Sequence, residues 1–199
     1  DECTSGFRET LGGLHKKYKV EPDIAMFGKA MGNGYAVTAT IGRREVMEAA
    51  QSSFISSTFW TERIGSVAAL KTIEVMEKEK SWELITSTGN KIRKGWQELA
   101  DLNKLQINHF GLPALTGFNF DSTNALKYKT FISQEMLKKG YLASNCVYVC
   151  TEHSDEVIDS YFNKLSDVFQ IIKKCEEGKS IDNLLNLSLI HISEPTRRS

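Results

Sequence analysis

The stretch MFGKAMGNGYAVTATIG, residues 26–42, carries one lysine, Lys29, between an apolar run and the glycines Gly32 and Gly34. An amine at a strand end in apolar surroundings loses hydration. Desolvation disfavours its ammonium form and leaves a nucleophile able to condense with an aldehyde. Taken alone, such a lysine has a second reading, an apolar stem whose head snorkels to solvent. Asp1 opens DECTSGFR one strand and one connection earlier. A carboxylate at that strand end can keep a pyridinium nitrogen protonated, which turns the ring into an electron sink; alone it is a polar residue and nothing more. Ser56, Ser57 and Thr58 in FISSTFWTERIG stand just ahead of a helix start. Hydroxyls and free backbone N–H groups there make an anion site, or an ordinary cap. Gly32 and Gly34 permit positive φ and close approach of a ligand behind the lysine, a pattern that turn chemistry explains equally.

Positioning these groups falls to an alternation of strands and helices. PDIAMFGK, entered through Pro22, reads as a short buried strand. YAVTATIG reads as a strand with Val37, Ala39 and Ile41 on one face and Thr38 and Thr40 on the other. RREVMEAAQ is a short helix. From Glu62 the period turns helical, with Ile64, Val67, Ala68, Ile73 and Met76 as a broad apolar face, Thr61 placed to cap it and Glu62 suited to the dipole. After a break near Ser81, Ile85, Thr88, Ile92, Trp96 and Leu99 mark a second helix. Strand-like ALTGFNFD, helical KTFISQEMLKKG and strand-like YLASNCVYVC follow. The last helix starts at Ser154, with Val157, Ile158, Tyr161, Leu165, Val168 and Ile172 on its apolar face. The class is α/β, with a domain boundary expected near residue 80.

The 199 residues carry 25 Lys plus Arg against 25 Asp plus Glu. A formal charge of zero argues against nucleic acid or a membrane surface as partner, since neither field attracts a neutral chain. No apolar run approaches the roughly 18 residues of a membrane span, and no signal peptide opens the sequence. Cys3, Cys146, Cys150 and Cys175 form no C-x-x-C pair, and His15, His109, His153 and His191 are not at zinc spacing from them, so no metal is expected. Reduced thiols in the cytoplasm are the simpler reading. Cys146 and Cys150 share a face by their even offset and read as buried. His15, beside Lys16 and Lys17, reads as part of a solvated patch, and His153 as help for the last helix's cap. Residues 187–197, LSLIHISEPTR, match the translation of a common sequencing-library adapter, so residues 187–199 read as an assembly scar or a disordered tail. With Asp1 in place of an initiating methionine, the sequence reads as an internal-to-C-terminal piece of a longer protein.

The order DECTSGFR, PDIAMFGKAMGNG, GRREVM, SSTFW, GSVAAL resembles the pyridoxal-phosphate-dependent class-III aminotransferases. GFR and YLASNCVYVCTEHSDEVID make it most similar to the glutamate-1-semialdehyde 2,1-aminomutase branch. The resemblance spans residues 1–172. It implies a fold-type-I transferase, with residues 1–80 as the C-terminal part of the cofactor-binding large domain and residues 81–180 as the small C-terminal α/β domain. It implies pyridoxal 5'-phosphate (PLP) as cofactor, held as a Schiff base by Lys29, the catalytic residue. Asp1 would pair with the pyridine nitrogen, and Cys3 would take the place where relatives usually set valine against the ring. Thr58 would reach the cofactor phosphate of the neighbouring subunit, which implies a homodimer with shared sites. Relatives commonly continue from that threonine as S-G-N-P; here Trp60, Thr61, Glu62 and Arg63 follow. Trp60 reads as lining the site entrance or packing at an interface.

The implied activity is amino-group transfer with a small amine or amino acid as substrate, with a 2,1-aminomutase as the alternative. Relatives of this fold often clamp a substrate carboxylate with an arginine of the small domain, and no arginine lies between Arg93 and Arg197. This favours an aminomutase, or an aminotransferase acting on an amino-sugar or another neutral ketone. Two further readings stay open: a catalytically inactive relative serving as a scaffold, and an unrelated α/β binding domain in which Lys29 grips a phosphate.

Overall fold

The computed structural model describes residues 1–56, 58, 59 and 61–186. Ser57, Trp60 and the expected scar at 187–199 lie outside the described residues. The chain is mixed α/β and divides into a first compact unit, Asp1–Thr86, and a second that begins at Ser87.

In the first unit, β1 (Ile24–Phe27) pairs antiparallel with β2 (Ala39–Gly42), Phe27 opposite Ala39. The buried strand expected over PDIAMFGK is buried on one face only. Ala25 and Phe27 point into a small core with Met31 and Ala69, while Ile24 and Met26 are exposed. A strand in a two-stranded sheet alternates, and here only one side has something to pack on. The short helix α1 (Arg44–Met47) follows, continued by a 3₁₀ turn at Glu48–Ser52. α2 (Ile64–Glu79) buries only part of its expected apolar face: Met76 is buried and Ala68 and Ile73 are half-buried. Gly65, Ala69 and Met76 face inward, while Ile64 and Val67 are exposed. The reason is closeness: a Cβ at Gly65 would stand 2.6 Å from the Ala36 carbonyl oxygen, so this contact admits only the smallest residues.

Lys80, in left-handed conformation, ends α2, and α3 (Ser81–Asn103) follows at the expected break. In the second unit, β3 (Ile107–Leu112), β4 (Leu115–Phe120) and β5 (Cys146–Tyr148) form an antiparallel sheet in that order. α4 (Ala125–Lys138) and α5 (Asp155–Glu176) complete it. The Ser154 hydroxyl accepts the Val157 N–H and caps α5, whose Ile158, Tyr161, Leu165, Val168 and Ile172 are buried as their spacing predicts, while Val157, expected on the same face, is exposed in the first turn. Trp96 is fully buried and donates its indole N–H to the Tyr161 hydroxyl at 2.9 Å, meeting the polar end of each ring. Cys146 and Cys150 do share a face, but it is the exposed one, a correction to their reading as buried thiols. β5 is an edge strand, and its inward alternation is taken by Val147 and Val149.

Candidate active site

The opening segment builds one wall. It is a run of turns rather than the strand end expected at Asp1, because the Glu2 carboxylate folds it back on itself. Glu2 accepts the Leu14 N–H at 2.8 Å, the His15 N–H at 2.9 Å and the Ser5 hydroxyl at 2.9 Å, and pairs with the His15 ring at 2.9 Å. Burial pushes this carboxyl up, but the bonds from His15, Leu14 and Ser5 outweigh it and hold Glu2 below the usual carboxylate range. His15 is therefore half-buried and hydrogen-bonded to Glu2, not part of a solvated patch. The Glu2 N–H donates to the Met26 carbonyl at 2.8 Å, laying the segment along β1. Gly6 is required here, since a Cβ would lie 2.7 Å from the Phe27 ring.

Lys29 follows β1 in the 3₁₀ turn Lys29–Met31, at φ +44°, a left-handed conformation that costs an L-residue roughly 1 kcal/mol or more. The turn is fixed by Met31 and Gly32 N–H bonds to the carbonyls of Gly28 and Lys29, at 3.0 and 3.1 Å. Lys29 Nζ donates to the Thr4 hydroxyl at 2.5 Å. Cys3 Sγ lies 3.5 Å from where a Cβ of Gly28 would stand, so Cys3, Thr4 and Lys29 come together at the end of β1. Lys29 itself is exposed, which corrects the apolar surroundings expected for its amine. The cleft wall beside it mixes Thr38 and Thr40 with the larger apolar Val37, Ile55 and Phe59.

Lys29 lines a cleft of about 910 Å³ whose walls include Tyr35, Thr38, Phe59, Glu62 and Ser66. Gly34, at φ +104°, sits at its rim with open space where a side chain would project. The far wall is the start of α2. Thr61 does not cap it; Glu62 does, its carboxylate accepting the Ile64 N–H at 2.6 Å and the Gly65 N–H at 3.4 Å. An anion there would have to share those N–H groups with a carboxylate. Thr58 is exposed in the preceding turn, beside Phe59. The Asp1 carboxylate accepts the Cys3 N–H at 2.8 Å and faces a separate hollow of about 380 Å³ with Glu2, Ser5 and Leu14. Asp1 and Lys29 thus share one turn-built wall but not one cavity.

The residues present fit a cofactor aldehyde at Lys29: an accessible amine, a cleft with room beside it, and hydroxyl groups around it. Sequence reasoning missed Thr4, Tyr35 and the capping role of Glu62. Thr4 meets Lys29 across 25 residues of chain, a distance at which no local pattern signals a contact. Glu62 carried a signal, an acid just ahead of the first helical turn. In the second unit the Arg93 guanidinium is engaged by the Thr116 hydroxyl at 2.7 Å and by the Gly111 and Phe110 carbonyls at 2.5 and 3.2 Å. Among the described residues no group of three or more His, Cys, Asp or Glu is placed to hold a metal, and no helix is long and apolar enough to cross a membrane.

The family model for class-III aminotransferases matches residues 1–169. The chain is 32% identical over 180 residues to the 3-aminobutyryl-CoA aminotransferase of Cloacimonas acidaminovorans (strain Evry), covering 87% of this chain and 44% of that protein. It is 25% identical over 187 residues to the glutamate-1-semialdehyde 2,1-aminomutase of Methanocaldococcus jannaschii, covering 85% and 44%. Its fold matches that of the FumI protein of Sphingopyxis sp. MTA144, solved in a PLP-bound form, with a TM-score of 0.82 at 18% identity over 92% of this chain and 45% of that one. The chain thus spans less than half the length of the relatives it matches. A family match over most of the sequence and a shared fold-type-I architecture establish that this chain belongs to the PLP-dependent class-III aminotransferases.

Proposed function

We propose that the intact protein transfers amino groups with PLP held by Lys29 as a Schiff base. The observation that carries this reading is the lone amine of Lys29, set on a left-handed backbone at the wall of an open cleft and gripped by a hydroxyl. When bound, the cofactor supplies an electron-withdrawing ring that stabilises negative charge at the substrate carbon. Lys29 Nζ, once free of the cofactor, would take a proton from that substrate carbon as base and deliver it as acid to the cofactor's aldehyde-derived carbon. In this reading the Asp1 carboxylate, which here accepts the Cys3 N–H and faces a neighbouring hollow, would turn to pair with a protonated ring nitrogen, and Cys3 would offer a small apolar surface to the ring. Thr58 would reach the cofactor phosphate of a second copy, so the reading implies a homodimer with shared sites. We place it in the cytoplasm, where the exposed thiols of Cys146 and Cys150 stay reduced.

The substrate we propose is an amine without a carboxylate beside the reacting carbon. Arg93 is committed to the β3–β4 hairpin, and no arginine follows it before Arg197, so the second unit offers no free guanidinium among its described residues. The 3-aminobutyryl-CoA aminotransferase carries in its name a substrate of this kind. The same observation favours a second reading, a 2,1-aminomutase, matched by the relative from Methanocaldococcus jannaschii.

Borohydride reduction of the full-length protein in the presence of PLP tests the Schiff base. We expect a permanent mass increase on the peptide containing Lys29, and at least a ~10²-fold loss of turnover in K29A from the general-base contribution alone. An unmodified Lys29 after reduction rejects the reading in favour of a lysine that only grips phosphate.

A further inference from the structure

Lys29 must alternate between ammonium and amine in the function proposed above, and this inference rests on that reading. A partner that serves one protonation state alone releases Nζ in the other. A carboxylate suits the ammonium; a backbone N–H suits the amine. A hydroxyl suits both, since it accepts from an ammonium and donates to a neutral nitrogen. Thr4 presents that group at 2.5 Å from Nζ.

Thr4 is itself held firmly. Its carbonyl accepts the Arg8 Nε–H at 2.8 Å. The Gly6 N–H closes the turn around it on the Glu2 carbonyl at 2.8 Å, and the Glu2 N–H ties that turn to β1 at Met26. The Glu2 side chain adds its bonds to Leu14, His15 and Ser5. On the other side, Lys29 stands on a backbone at φ +44° that persists because its turn is fixed by neighbouring hydrogen bonds. Both ends of the contact are anchored by their own turns, on segments far apart in sequence that meet at β1.

We propose that Thr4 is the positioning residue for Lys29: its hydroxyl holds Nζ over the cleft in both protonation states. It follows that the turn over residues 2–6, whose folding depends on Glu2, sets the direction from which the amine attacks.

The test compares Thr4→Val, which keeps the shape and removes the hydroxyl, with Thr4→Ser, which keeps the hydroxyl, in the full-length protein. The readout is the rate at which Lys29 incorporates PLP under cyanoborohydride, followed by peptide mass from acid to alkaline pH. We expect T4V to slow incorporation roughly tenfold, the loss of one hydrogen bond to a charged group, on both sides of the pH profile, and T4S to stay within about twofold of the wild type. Competitive acetylation of Lys29 supplies a readout independent of the cofactor and should show the same order. T4V reacting like wild type overturns the inference and leaves the Schiff-base reading intact, as does T4S failing as badly as T4V. A wild-type Lys29 that takes up no PLP removes both.

Discussion

At the scale of single residues, the described titratable groups divide into those the fold supports and those it strains. Glu2 belongs to the first kind. His109, on β3, belongs to the second: its ring stacks on Trp96 with centroids 6.3 Å apart, and its Nδ1 is buried with no hydrogen-bond partner. Burial first, and the nearby Arg93 charge second, push the His109 pKa down, against a smaller opposing effect from Gly117. The neutral ring is the form this core accepts. The contribution to stability is complete above the ordinary histidine value of 6.5 and is lost as pH falls through the lowered folded value. We expect His109→Phe to flatten the dependence of the urea midpoint on pH between about 7 and 5; an unchanged slope would assign the acid sensitivity elsewhere. Lys29 was legible at this scale because one amine in an apolar run is conspicuous. Thr4 was not, because a contact across 25 residues is made by the turn chemistry between, and each turn is ambiguous alone.

At the scale of elements, periodicity located the helices well and their buried faces less well. α5 buries what its spacing marks beyond its first turn, where Val157 stays exposed, because its partners there are large side chains that a broad apolar face can meet. In α2 the same reasoning picks Ile64 and Val67, both exposed, and passes over Gly65, which the fold buries. Hydrophobic patterns weigh large residues, while close approach of two backbones selects small ones. Gly65→Ala makes the conflict measurable. Alanine gains about 1 kcal/mol of helix propensity over glycine. Its methyl, however, would meet the Ala36 carbonyl oxygen at 2.6 Å and the Val37 Cβ at 2.9 Å, both too rigid to yield cheaply. We expect a net loss of roughly 1–3 kcal/mol by chemical denaturation; a stabilised variant would mean that α2 is free to shift. β3 escaped sequence reading for a related reason, since its burial alternates weakly and one face of its hairpin is secured by Arg93 instead of by apolar packing.

At the scale of the whole molecule, the placement of exposed apolar groups bears on the proposed homodimer. Ile64, Val67 and Leu70 repeat every three residues along α2 and are 61%, 63% and 69% exposed, while Phe54 in the segment before it is 95% exposed. Single exposed apolar residues need no explanation, but a strip of this kind on one helix calls for a cover. The chain covers 44% of the length of its relatives, so both a second copy and the remainder of the protein are candidates. The choice turns on Thr58. If its hydroxyl crosses to the cofactor phosphate of the neighbouring subunit, the turn that carries it is an interface turn, and α2, which begins six residues later, leads directly away from it. The strip then faces the second copy. Val67→Glu in the full-length protein would place an unpaired carboxylate in that contact, a penalty of several kcal/mol. We expect the dimer dissociation constant to rise at least ~100-fold, with PLP retention falling in step because each cofactor loses its borrowed Thr58. Sedimentation and the cofactor's absorbance read the two effects on one sample. A V67E protein that stays dimeric assigns the strip to the rest of its own chain, and one that dissociates yet holds PLP as tightly as before places Thr58 outside the cofactor site.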